Sequence, residues 1–513
     1  MKELPIDPKI QPQGEKFFWI CLLSLLAGYT VWQLSHLGGL RWDWDEGVYL
    51  LTARTVAEGH RLYSDIFSMA PPLFIASLNL GFWLGGETIA AGRAVIVLYS
   101  ALGLLGVGLL AREWGGRLAG PVAVVALAAA PHFYILSRTV IADLPSMGLA
   151  CLALWMAVRY GRTGRRRWLA AAGWMLSCGL CLKLTAGLVA PAMVLAVLLR
   201  DWQAGGRQGR PVAARLGDVC YSGVVMGGAF AVPIALCLLT HEVEPMVEQV
   251  ITLLWTQREH FTPDYGDNAM LLFKYLAADN FNVALNRGLT VLGLAGSLAL
   301  AWRRPKDALV LGLWLATTVV VIIGYAPLWV HLFSPVLFPL AAGAGVGAGF
   351  LYQSFYEIVR DRHSRAARAA GQKAIGIALA LALVGYVYDW PAIIAENSRR
   401  ASAPGGGLEK TVRQIEATTS PGDLVITDEP LLAFVAGRPV PPDLCDCSVV
   451  RITVGKLTAR DLINATERHQ PAAIALGPAS RFAIYLPGYI EWLESRYDLS
   501  WTGQKRSRIY LRK

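Results

Sequence analysis

"RWDWDEGVYLLTARTVAEGHRLYSDIF", residues 41–67, follows the first stretch of the chain that is apolar enough to cross a membrane, residues 17–37. It gathers Asp43, Asp45 and Glu46 between and beside Trp42 and Trp44, at what that apolar run makes the edge of a bilayer. Residues 46–58 put Leu50, Ala53 and Ala57 on one face and Glu46, Arg54 and Glu58 elsewhere, with Gly59 as a natural stop. This pattern predicts a short amphipathic helix lying on the membrane. A second such helix is expected after Pro71 and Pro72, running through "LFIASLNLGFWL" to Gly85 and Gly86.

Outward from this loop the chain reads as an integral membrane protein. Of its 513 residues, 55% are hydrophobic and 16% charged, and its apolar runs repeat at lengths that cross a hydrocarbon core of about 30 Å. Seventeen Trp and eighteen Tyr suit interfacial belts, where a ring keeps one end dry and the other wet. The net charge of +10 is not a nucleic-acid signal, because the Lys and Arg fall in short loops between apolar spans. The first apolar run lacks a cleavage-site pattern and reads as a retained anchor.

Spans are expected near 17–37, 88–110, 119–136, 140–158, 168–182, 184–200, 218–240, 286–301, 308–325, 334–352 and 374–389, about eleven helices. Arg112 and Arg117, "RYGRTGRRR" (159–167), "RDWQAGGRQGRPVAAR" (200–215), "RRPK" (303–306) and "RDRHSRAARAAGQK" (360–373) occupy alternate loops. By the positive-inside rule these are cytoplasmic, as is the N-terminus. The opposite face then receives the loop 38–87, the connection from Ser137 to Asp143, the turn at Lys183, the loop 241–285, the "YAPLWVHLFSP" corner (325–335) and everything after Trp390.

Residues 1–390 are thus expected to form the transmembrane domain and 391–513 a small extracytoplasmic α/β domain, with "SAPGGG" (402–407) as its linker. "GDLVITD", "PAAIALG" and "SRIYLRK" read as strands, and "TARDLINATERH" and "FAIYLPGYIEWLESRY" as helices. Six of the eight cysteines lie in or beside apolar runs, where a thiol behaves as a small hydrophobe. Cys445 and Cys447 lack a matching second pair for a zinc site and read as two free thiols, with a strained local disulfide as the alternative.

The acids of the opening loop have two accounts. In the bland one Asp45 caps a helix and Glu46 favours its dipole, each worth about 1 kcal/mol, but Asp43 is left without a task. In the sharper one, carboxylates partly desolvated where a loop folds back on apolar surface acquire raised pKa values and serve as a general base or hold a metal. Asp143, in "SRTVIADLPSMG", comes to the same membrane level, although an Asp ahead of Pro145 is also a good helix start. Arg138, Lys183, Arg258, His260 and His331 gather at that level too. Each alone reads as a snorkelling cation or a structural imidazole. Together they supply what a bound phosphate needs.

"DEGVYLLTARTVAEGHRLYSDIFSMAPPL" resembles the first outer loop of the GT-C superfamily of glycosyltransferases, particularly the family 39 relatives that include protein O-mannosyltransferases and lipid A aminoarabinose transferases. The matching residues are Asp45, Glu46, Tyr49 and Pro71-Pro72-Leu73, and the family's second acid corresponds to Asp143 in "ADLP". Members commonly carry a Lys just before Pro-Pro-Leu for the lipid phosphate; this chain has Met69 and Ala70. The resemblance implies inverting transfer of a sugar from a polyprenyl-phosphate donor to a lipid, glycan or protein acceptor on the outer face of the cytoplasmic membrane. Asp45 would be the base, and Glu46 and Asp143 would orient base and acceptor, or Asp45 and Asp143 would hold a divalent cation such as Mg or Mn. Tyr49, Arg138, Lys183, Arg258, His260 and His331 would contact substrate, with Lys183 the first candidate for the phosphate. A transporter or flippase would instead place ionisable residues deep within several spans, and a polysaccharide polymerase or ligase would lean on outer Arg and His without an acidic opening loop.

Overall fold

A computed structural model describes residues 11–38, 43–206, 212–277, 286–360, 376–401 apart from 378, 382 and 389, 408–503 and 506–513. Trp42, the 360–373 loop beyond Arg360, the centre of the 200–215 loop and the 402–407 linker lie outside the described residues.

Five described helices are long and apolar enough to cross a membrane: Glu15–Leu34, Ile89–Gly115, Leu216–Thr240, Pro305–Ile323 and Val330–Ser354. Shorter apolar helices cover Pro72–Gly85, Ala119–Ala129, Arg167–Leu182, Leu184–Arg200 and Leu379–Ala395. The elements that matter below are α1 (Gln11–Leu34), α2 (Trp44–Ala57), α3 (Pro72–Gly85), α4 (Ile89–Gly115), α5 (Ala119–Ala129), α6 (Pro131–Leu136), α7 (Asp143–Thr163) and α8 (Arg167–Leu182). They continue with α9 (Ala190–Gly206), α10 (Val212–Thr240), α11 (Val243–Val247), α12 (Leu253–His260), α13 (Tyr265–Ala277), α14 (Arg287–Arg303), α15 (Pro305–Ile323) and α16 (Leu337–Arg360).

The bundle is centred on α4, α7 and α16. Within Val330–Ser354, 94% of the most apolar 18-residue stretch is buried, whereas in Leu216–Thr240 the corresponding share is 6%, and α10 packs at the periphery against α8. Small residues explain why α16 can be central. A Cβ on Gly345 or Gly349 would run into the backbone of Ala119 or Gly115, and one on Gly296 of α14 into the backbone of Gly343. Helices in lipid approach this closely only where the contact residues are small.

Several boundaries differ from the sequence expectation for local reasons. The span expected at 119–136 breaks at Ala130, because Pro131 has no N–H to continue α5 and instead opens α6. The spans expected from 184 and 334 begin as 3₁₀ turns, Leu184–Val189 and Val330–Val336. The helix α2 forms as expected but does not lie exposed on a membrane: nine of its residues are buried, including Glu46 and Arg54. Its cover is the C-terminal domain. Gly47 sits so close to Leu431 that a Cβ would meet the Leu431 backbone, and Arg54 donates to the Phe434 carbonyl (2.9 Å) with its guanidinium 4.0 Å from the Phe434 ring. By contrast α3 keeps Leu80, Trp83 and Leu84 exposed, an apolar edge of the kind expected at a membrane surface.

The C-terminal domain is α/β. Its sheet comprises β1 (Val425–Thr427), β2 (Ala473–Leu476), β3 (Tyr497–Thr502) and β4 (Arg508–Arg512) in the order β1-β2-β4-β3, with β1 parallel to β2 and the other pairs antiparallel. The three strands read from sequence are present. β3 was not expected, because its exposure pattern leaves only Tyr497 buried and gives no clean alternation. The expected helix "FAIYLPGYIEWLESRY" is two helices, divided where Pro487 opens the second.

Candidate active site

At one end of the bundle a cavity of about 730 Å³ opens among α2, the 68–71 turn, Lys183 and the 3₁₀ turn after it, α12, the 325–335 corner and the C-terminal domain. Most of the polar residues singled out in the sequence meet here, and the structure separates their tasks.

Asp43 is the N-cap of α2, its Oδ1 accepting the Asp45 N–H at 3.1 Å. The capping account therefore applies to Asp43 and leaves the Asp45 carboxylate free to face the cavity. Asp45 Oδ2 lies 3.6 Å from His331 Nδ1. Burial pushes the Asp45 pKa up to about 6; Lys183 pulls it down, while Asp143 and Asp446 add to the rise. Glu46 faces the opposite way and does not line the cavity. It is fully buried, takes 2.8 and 2.7 Å hydrogen bonds from Nε and Nη2 of Arg93, and accepts the Val140 N–H at 3.1 Å. This corrects its expected place beside the base: one helical residue advances by about 100°, so two adjacent acids cannot share a face.

Asp143, at the first turn of α7, is fully buried just behind the cavity wall. Lys183 Nζ donates to its Oδ2 at 2.7 Å, and His331 Nε2 is 4.0 Å from the same oxygen. Its Oδ1 has no hydrogen-bond partner among the described residues. Burial works against the charge of Lys183, but Asp143 outweighs it and the Lys183 pKa is raised. Lys183, the first candidate for the phosphate, is thus half of an ion pair at the cavity edge.

Tyr49, Arg258 and His331 also line the cavity. Tyr49 is seated edge-on against Phe74 at 4.9 Å. The Arg258 guanidinium is 5.2 Å from the Trp255 ring and makes no ion pair among the described residues. Two expected contacts lie elsewhere. Arg138 is buried against the Tyr134 ring at 5.1 Å and does not reach the cavity. His260 is exposed on α12, its Nδ1 at 3.1 Å from the Thr256 carbonyl. Two residues along α12, it lies about 200° round the helix from Arg258.

The C-terminal domain supplies residues that the sequence did not bring forward. Asp446, Ser448, Val449, Val450 and Arg481 line the same cavity. Asp446 Oδ1 accepts the Ser448 N–H at 2.8 Å, and burial raises its pKa against the pull of Arg451. Arg481 stacks 4.0 Å from the Trp44 ring, whose Nε1 donates to the Asp428 carbonyl at 2.9 Å. The available signal was the acid in "DLCDCS", set among residues that bury and between two cysteines that are buried and free.

Among the described residues no three His, Cys, Asp or Glu side chains converge as a metal site. Of the pair expected for a divalent cation, Asp143 is bonded to Lys183 through Oδ2 (2.7 Å) and Asp45 faces the cavity.

The profile of a family described as dolichyl-phosphate-mannose-protein mannosyltransferase matches residues 69–209. No curated protein matches the chain in sequence. Among solved structures, ArnT from Cupriavidus metallidurans bound to undecaprenyl phosphate is 16% identical, with 96% of this chain and 97% of that chain covered and a TM-score of 0.63. The archaeal oligosaccharyltransferase AglB from Archaeoglobus fulgidus, in complex with an inhibitory peptide and a dolichol-phosphate, is 13% identical, with 97% of this chain and 74% of that chain covered and a TM-score of 0.53. The shared fold runs through both the helical bundle and the C-terminal domain.

Proposed function

We propose that this chain, which carries the GT-C fold of these structures, is a membrane glycosyltransferase that moves a sugar from a polyprenyl-phosphate carrier to an acceptor hydroxyl, with inversion. The observation that carries this reading is Asp45: a carboxylate facing a cavity, spared from capping by Asp43, with Lys183, Arg258 and His331 on the surrounding walls.

The chemistry asks little of an acid. A departing polyprenyl phosphate is already a fair leaving group, so the site must stabilise negative charge on it. Arg258 is suited to that task because no carboxylate among the described residues pairs with it, and His331 adds a donor when its ring nitrogen faces the phosphate. Lys183 contributes at shorter range, its charge shared with Asp143. The ionised Asp45 takes the acceptor proton as the hydroxyl attacks the anomeric carbon from the side opposite the phosphate. A pKa of about 6 leaves it mostly ionised at pH 7 while keeping it a better base than an exposed Asp. Asp143 fixes Lys183 and lies near His331, a positioning role. The combination of exposed apolar surface on α3 and a mixed polar and apolar cavity beside it suits a donor with a lipid tail.

The experiment is to incubate the purified protein with radiolabelled polyprenyl-phosphate sugars and membrane extract and to separate lipid, protein and glycan products. Label transferred by the wild type and not by Asp45→Asn supports the reading. Movement of intact lipid-linked sugar across a vesicle bilayer without transfer would replace it with a transporter.

A further inference from the structure

Two cysteines from different helices touch at the cavity end of the bundle. Cys181 lies in the last turn of α8 and Cys237 in the last turn of α10, and their Sγ atoms are 3.6 Å apart. The helices come this close because Gly173 of α8 lies directly against the Met226 backbone of α10, where a Cβ would clash. Cys181 is buried, Cys237 is half-buried, and one turn beyond Cys237 the chain leaves the helix at His241, whose Nδ1 is 3.2 Å from the Cys237 carbonyl. Cys181 precedes Lys183 by two residues, and Lys183 is the residue that ends α8 and holds Asp143.

We propose that Cys181 and Cys237 are a disulfide-forming pair that covalently ties α8 to α10 beside the cavity. The sulfurs need to approach by about 1.5 Å to reach S–S bonding distance, a change that side-chain rotation and a small helix shift can supply. The oxidant is the disulfide of a thiol–disulfide oxidoreductase. Cys237, the more accessible thiol, loses its proton to solvent and attacks that disulfide, forming a mixed disulfide and releasing one thiolate. Cys181 then loses its proton and attacks the Cys237 sulfur, and the second thiolate of the oxidant leaves. Two electrons pass to the oxidant, which becomes a dithiol, and one S–S bond joins α8 to α10. The tie closes a loop that includes α9 and α10 and anchors the end of α8 that carries Lys183.

The test uses the full chain in membranes, treated with an oxidised dithiol oxidoreductase and then denatured in a maleimide so that every remaining thiol is blocked. Mass spectrometry of the digest is expected to show a Cys181–Cys237 linked peptide that disappears with reductant. Oxidation should raise the Tm of the wild type and leave that of Cys237→Ser unchanged. Maleimide on both Cys181 and Cys237 after oxidation, or a Cys178–Cys237 link in place of the expected one, would overturn the proposal. The peptide analysis rests on the wild type alone, so it decides the matter even if a serine variant fails to fold.

Discussion

The two ends of the helical bundle use the same residue types to opposite effect. At the end away from the cavity, acids are matched with arginines: Glu15 with Arg112 (2.5 Å), Glu113 with Arg159 and Arg162 (2.8 and 3.1 Å), and Asp307 with Arg162 (3.3 Å). At the cavity end, the one ion-pair partner of Asp45 among the described residues is His331 at 3.6 Å, Asp446 is bonded to backbone, and Arg258 makes no ion pair among the described residues. Saturated pairs at a bundle end fix helices and offer nothing to a ligand. Charges held apart in a partly desolvated cavity keep their capacity to bind and to titrate. Both ends are rich in charge; at the cavity end Lys183–Asp143 and Arg93–Glu46 are paired, and the difference lies in the charges that line the cavity, where Asp45 and Arg258 stand apart.

The hardest blow to this comparison is Asp45→Asn, which preserves shape and removes the base. Transfer should fall by about 10² to 10⁴ while expression and Tm hold; near-normal turnover in a radiolabel assay would return Asp45 to a structural role. Glu46→Ala separates the neighbouring acid by its readout. It leaves Arg93 buried without its partner, which typically costs about 3–5 kcal/mol, so the loss should appear in thermal unfolding before it appears in the kinetics of the surviving folded protein.

The cations sharpen the same contrast. Arg258→Met should raise donor KM by roughly tenfold, as expected for one lost charge-assisted hydrogen bond, with Tm unchanged. Lys183→Met should lower Tm as well, because it strands Asp143, and the Lys183→Met/Asp143→Asn double variant should recover that stability without recovering donor affinity. Asp143→Asn alone should impair transfer more than Asp65→Asn, whose acid accepts the Arg61 N–H (2.8 Å) and pairs with the Arg61 guanidinium (3.7 Å) at an exposed turn. Equal effects of Asp143→Asn and Asp65→Asn on kcat/KM would detach Asp143 from the site.

The smallest expected effect concerns pH. Asp45 acts in its ionised form, so kcat/KM should decline as pH falls through about 6, the value to which burial raises its pKa. Asp446 contributes to that rise through like-charge repulsion. Asp446→Asn should therefore move the acid limb to lower pH, and an unmoved limb would show that Asp446 does not act on Asp45.

The sequence by itself determined the helical membrane architecture, the two helices of the opening loop, most of the C-terminal strands and the place of Asp45. These follow from local regularities: apolar runs matched to bilayer thickness, the 3.6-residue period, Gly and Pro stops, and the alternation of cationic loops. The resemblance of the opening loop to GT-C enzymes added Tyr49 and a role for Asp143, residues that lie at or behind the cavity. Only the tertiary structure decided what each charge meets. It turned Glu46 toward Arg93, gave Lys183 to Asp143, withdrew Arg138 and His260, brought Asp446 and Arg481 over a helix about four hundred positions earlier in the chain, and set Cys181 against Cys237. No spacing rule reaches that far, because a partner is chosen by which helix faces touch and how closely small residues let them approach, and neither is written in the neighbouring sequence.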